Sequence, residues 1–127
     1  MQQPGDEHLA LAYMMWLHFE KPEDFWAVEN VMLLSFSQEW DELWRVTLVL
    51  LREADDDWCL AAIAAGPLEE LIGHAGERYI ERIEAEAARN QILSRALTGV
   101  WRHGGEISND VWGRIESLVK ECPNPIR

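Results

Sequence analysis

Residues 38–54 read QEWDELWRVTLVLLREA, and in them Trp40, Leu43, Trp44, Thr47, Leu48 and Leu51 share one side of a helix. The spacing is the i, i+3, i+4, i+7 pattern of an amphipathic helix, with the charged residues falling on the opposite side. Val46, Val49 and Leu50 widen the apolar arc, so the helix is expected to be covered on two sides. Ser37 is the expected cap. A segment of this kind cannot bury its face alone; it requires further helices around it.

The flanking sequence supplies them. Asp6 is placed to cap a helix over 7–20, and Pro22 suits the first position of a second over 22–35, with Glu23 and Asp24 in its dipole-favoured first turn. Phe25, Val28 and Met32 form the stripe of that second helix, with Trp26 and Leu33 beside it. Beyond Asp55-Asp56-Asp57 a short apolar helix runs from Trp58 to Ala65. Gly66-Pro67 then reads as a corner, with Gly in the left-handed position that ends one helix and Pro opening the next. Gly73 and Gly76 are expected to end that short helix. A charged one over 77–89 follows, with Tyr79, Ile80, Ile83 and Ala87 inward and Arg82 spaced to pair with Glu86. Asn90 caps a helix over 91–102 that turns Ile92, Leu93, Ala96, Leu97, Val100 and Trp101 inward. His103-Gly104-Gly105 reads as a loop, and Ser108 caps a last helix over 109–121 with Val111, Trp112, Ile115, Leu118 and Val119.

No segment alternates with period two, so no sheet is expected. The reading is an all-α single domain over 1–127: a compact, HEAT-like stack of antiparallel helical hairpins, seven or eight helices in all. Trp44, Leu48, Ile83, Leu97, Val100 and Ile115 are its expected core.

Hydrophobic residues make up 48% of the 127, enough to fold without metal or disulfide. The net charge of −12 is unevenly placed. Residues 1–66 carry 13 Asp/Glu against 3 Lys/Arg, and residues 67–127 carry 10 against 8. Such a polyanion repels phosphate, so direct nucleic-acid binding is not expected. The apolar run Leu9–Leu17 is too short to span a bilayer, which needs roughly 20 residues, and no basic leader precedes it. Cys59 and Cys122 are isolated and read as reduced thiols in a cytoplasmic protein.

The stretch Ala64–Trp112 resembles a family of small uncharacterised bacterial helical proteins. The residues that carry the resemblance are Ala65-Gly66-Pro67-Leu68-Glu69, the Ile83-Glu84 helix, the Gly99-Val100-Trp101 step and Val111-Trp112. It implies a bacterial, cytoplasmic helical domain and brings no activity and no functional residues with it.

Catalytic and metal motifs are absent from the sequence pattern. His8, His18, His74 and His103 lie far apart, with no HExxH or CxxC, and no metal or other cofactor is expected. His18 with Glu20, Glu23 and Asp24 is the one corner at which an enzyme site would be sought. Cys59 reads as a small buried hydrophobe, since Asp55 to Asp57 oppose its ionisation. The Asp run lacks the oxygen spacing and Gly of an EF-hand.

What remains is charge and tryptophan. Carboxylates ringing an exposed Trp make a typical protein anchor, and Trp58 or Trp26 is placed to supply it. The expected function is capture, and inhibition, of a basic protein. One concrete form is an immunity protein or other inhibitor of a nucleic-acid-handling protein, with Glu39, Asp41, Glu42, Asp55, Asp56, Asp57 and Trp58 as contacts. An enzyme at His18 and a structural scaffold are the alternatives.

Overall fold

The computed structural model describes residues 3–102 and 107–126, and among them every regular element is helical. Helix α1 spans Asp6–Phe19. A 3-10 turn, Pro22–Asp24, leads into α2, Phe25–Phe36, and α3 spans Trp40–Glu53. Next come α4, Asp57–Ile63, and α5, Glu69–Ala87. Last are α6, Gln91–Leu97, and α7, Asn109–Glu121.

The chain kinks at Gly66-Pro67, the expected corner, but in another conformation: a π-helical turn over Ala64–Leu68 links α4 to α5, and Gly66 is non-helical at φ −101°, ψ −107°, not left-handed. The wider turn accommodates Pro67, whose missing N–H and bulky ring would disrupt ordinary α geometry. Gly73 and Gly76 lie inside α5, and Ala75 between them is non-helical at φ −134°, a kink at the expected end of the short helix. The described residues thus form six helical runs, the one over 57–87 kinked at Gly66 and at Ala75, rather than seven or eight separate helices. The His103-Gly104-Gly105 loop lies outside the described residues.

Helix α3 packs against α1, α2, α4, α5 and α6, while α5, α6 and α7 pack on one another. Its buried face is rotated from the expected one. Leu43, Val46, Thr47, Leu50 and Leu51 are interior, whereas Trp44 and Leu48 are half-buried. The extra valines and Leu50 shift the centre of the apolar arc by about one position, moving the tryptophan to its edge. Ile83, Leu97, Val100 and Ile115 are buried as expected.

Helix α2 departs further. Its buried side chains are Ala27 and Val31, and Met32 and Leu33 face out. The small pair lets α2 approach α1 and α3 closely, which puts the bulky stripe on the other side. Trp101 is also outside, 73% exposed. Helix α6 stops at Leu97, and the Trp101 N–H donates to Glu69 Oε1 at 2.6 Å. Two glycines permit close approach: a Cβ on Gly76 would lie 3.1 Å from Val111 Cγ1, and one on Gly99 3.2 Å from Ala64 Cβ.

Caps follow the sequence at three helices. Asp56, Asn90 and Ser108 accept from the N–H groups of Cys59, Leu93 and Val111. Ser37 does not cap α3, which begins after Gln38 in the left-handed region. Asp6 lies within α1 and is buried. It accepts from the Gln3 N–H at 2.7 Å and from Arg45 Nε at 3.0 Å.

Candidate functional site

The carboxylates expected to meet a partner are largely engaged within the chain. Asp41 receives Arg78 and Arg82, each at 3.2 Å, together with the Tyr79 hydroxyl. Those bonds, the Tyr79 one foremost, hold its carboxyl below the usual carboxylate range. Asp57 takes a two-pronged bond from Arg95, both arms at 3.0 Å. Asp55 pairs with His18, and Asp56 caps α4. Of the expected acidic set, Glu39, Glu42 and Asp56 have no ion-pair partner among the described residues, and Asp56 is engaged as a cap. The sequence hid this because the arginines come from α5 and α6, some 37 positions further on.

Trp58 stands 69% exposed at the start of α4, as the sequence allowed, and Trp26 is half-buried on the His8 ring. The larger apolar surface was not foreseen. On α2, Met32, Leu33 and Phe36 are all exposed, Phe36 by 80%. Met32 and Phe36 form one side of a groove of about 480 Å³ whose other side is Trp40, stacked on His74 with 5.9 Å between ring centroids. Glu70 on the groove wall accepts from Ser35 Oγ at 3.2 Å and pairs with His74 at 3.2 Å. Glu29 lies one turn before Leu33, and the Glu39 N–H donates to Leu34 O, which places that carboxylate at the C-terminal end of α2. The sequence offers only a weak signal for this surface: the smaller Ala27 and Val31, at i, i+4, lie opposite the bulky residues, in a helix whose apolar residues go all round.

A second corner gathers reactive groups. His18, in the last turn of α1, does not meet Glu20, Glu23 and Asp24. Its Nε2 lies 3.0 Å from Asp55 Oδ1 and 3.4 Å from Cys59 Sγ. Ligand atoms of His18, Asp55, Asp56 and Cys59 all fall within 4.8 Å of one another. The hydrogen bond from His18 leads in holding the Asp55 carboxyl below its ordinary range. Burial, then Asp56 and Asp55, pushes the Cys59 thiol up to about 12, so the free protein holds it as S–H. Cys59 is fully buried, as its sequence context implied, but it is not isolated from polar chemistry.

A family of unknown function (DUF6869) matches residues 18–122. The chain belongs to that family. The DUF6869 span begins at His18, well before the Ala64–Trp112 stretch that carries the resemblance, and takes in both α2 and the His18 corner. No curated protein and no solved structure matches the chain. No helix among the described residues is long and apolar enough to cross a membrane.

Proposed function

We propose that this DUF6869 chain is a non-enzymatic binding protein that captures a basic protein, using the outer face of α2 and the groove beside it. The observation that carries the reading is the run of exposed Met32, Leu33 and Phe36 next to carboxylates with no ion-pair partner among the described residues, Glu29 and Glu39. Apolar anchors flanked by free charge are the usual make-up of an interaction surface. The surrounding half of the chain is strongly negative, which favours an oppositely charged partner. The groove volume suits one or two inserted side chains. Trp58, with Asp55 to Asp57 beside it, is a secondary contact, since its carboxylates already have partners.

In its concrete form the protein is an inhibitor of a basic nucleic-acid-handling protein, an immunity protein among the options, acting in the bacterial cytoplasm. Its helices order as HEAT-like hairpins. The two free thiols suit a reducing compartment.

Affinity capture from a bacterial lysate, with salt varied, tests the proposal. The expected partner is basic, and its association slows steeply as NaCl rises. Replacing Met32 and Phe36 with Ser, which touches no buried residue, should weaken capture at least tenfold and leave the fold intact. An acidic partner, salt-indifferent binding, or a parent that self-associates through α2 would defeat the reading.

The second reading, an enzyme built on His18, draws support from the convergence of Asp55, Asp56 and Cys59 on its ring.

A further inference from the structure

The Asp55-Asp56-Asp57 run poses a problem that helix capping does not solve. One carboxylate suffices to cap α4, and Asp56 does so. Asp57 turns away to Arg95. Asp55 and Asp56 face instead toward the His18 ring and a fully buried thiol, a pairing of donors 41 positions apart in the chain.

We propose that His18, Asp55, Asp56 and Cys59 bind one divalent cation of the zinc class. The donor set is one sulfur, one imidazole nitrogen and two carboxylate oxygens, the combination that borderline-soft Zn²⁺ accepts in four-coordinate sites. Bonds of about 2.0–2.3 Å to such donors put neighbouring ligand atoms about 3.3–3.6 Å apart in a tetrahedron. His18 Nε2 lies 3.4 Å from Cys59 Sγ and 3.0 Å from Asp55 Oδ1, close to those edges. All the ligand atoms lie within 4.8 Å of one another, and rotation of the two Asp carboxylates, both on exposed residues, closes the wider separations.

The surroundings preorganise the ligands. The Cys59 N–H, donating to Asp56 Oδ1 at 2.8 Å, fixes that carboxylate and leaves its second oxygen for the ion. Helix α4 fixes the thiol beside it, and the last turn of α1 supplies the ring. Protons do in the free protein what the cation does in the bound one. Binding exchanges the thiol proton for the metal: Cys59–SH and M²⁺ give the thiolate–metal bond and one released H⁺. A thiolate and two carboxylates against a dication leave one net negative charge, compared with two before binding. This inference is independent of the α2 surface, and failure of either leaves the other standing.

The test uses the full chain, reduced with a phosphine, and Co²⁺ alone as the probe. One equivalent of Co²⁺ should produce a sulfur-to-cobalt charge-transfer band and visible absorption of tetrahedral intensity, both removed by one equivalent of Zn²⁺. Zn²⁺ should also raise the Tm by several degrees. Cys59→Ser should abolish the charge-transfer band, and Cys122→Ser should keep it. His18→Ala, at a ring on the surface, should weaken Co²⁺ binding at least tenfold without unfolding the protein, and it decides the matter if Cys59→Ser does not fold. Absence of the band in the parent, a band that disappears with Cys122, or unaltered binding by His18→Ala overturns the proposal.

Discussion

Thr47 is fully buried in α3, and its hydroxyl has no hydrogen-bond partner among the described residues. A buried hydroxyl without a partner loses its water and gains nothing in exchange, at a cost of about 1–3 kcal/mol. Val fills nearly the same volume without that cost. Thr47→Val is therefore expected to stabilise the protein by about 1 kcal/mol, measured as a shift of the urea midpoint. An unchanged or lower midpoint would mean the hydroxyl is satisfied in solution. Leu97→Ala, in contrast, opens a cavity at a fully buried site and should cost about 2–5 kcal/mol. Trp44→Ala should cost less than Phe- or Trp-sized core deletions usually do, because Trp44 lies only half-buried, against Tyr79. The contrast between Leu97→Ala and Trp44→Ala separates true interior from apolar edge.

At the scale of elements, the caps carry measurable weight. Asn90 and Ser108 each satisfy an otherwise unpaired N–H at the start of α6 and α7, so replacement of either by Ala should lower stability by about 1 kcal/mol. Denaturant melts of both variants check this, and a change below a few tenths would show water replacing the cap at no loss. These caps were legible because N-cap chemistry is local: a side chain reaches two or three residues ahead and no further. The same locality explains what was not legible. Gly66-Pro67 carries every local mark of a corner and the chain does kink there, but through a π turn with Gly66 outside the left-handed region that those marks imply. In α2 the apolar residues go all round, so periodicity could not choose between the Ala27–Val31 side and the Met32–Phe36 side. Close approach selected the small residues. The His18 corner escaped for the opposite reason. Its donors come from α1 and from the α3–α4 junction, and only the packing of α1 on α3 and α4 brings them together.

The whole molecule is a charge-divided object whose halves correct one another. Arginines of the nearly neutral C-terminal half reach back to the acidic half: Arg78 and Arg82 to Asp41, and Arg95 to Asp57. Within the acidic half, Asp6 is the buried charge. Burial opposes its ionisation, and the Arg45 guanidinium with the Gln3 N–H outweighs that, so its folded carboxyl titrates below the ordinary value near ~3.9. The sign follows: the stability it contributes is present above that ordinary value and is lost as pH falls through the lower, folded one. Asp6→Asn should therefore cost about 2 kcal/mol at pH 7, with the gap to the parent closing as pH falls below the ordinary carboxylate range. A gap that persists into strong acid would assign the loss to packing and not to charge. Salt tests the balance as a whole. Exposed ion pairs such as Arg78–Asp41 and Arg82–Asp41 contribute little, about 0–1 kcal/mol each, and screening weakens them. Against them stands a net charge of −12, ten units of it on residues 1–66, where 13 carboxylates face 3 cations. Glu7, Glu20, Glu23, Asp24, Glu29, Glu39 and Glu42 have no ion-pair partner among the described residues, and their mutual repulsion acts over distances that ~0.15 M salt already shortens to about 8 Å. Repulsion should thus exceed the pairing lost, and the Tm is expected to rise by a few degrees between low salt and about 0.5 M NaCl. A Tm that falls over that range would show that the bridges from Arg78, Arg82 and Arg95 contribute more to the fold than the surplus charge subtracts.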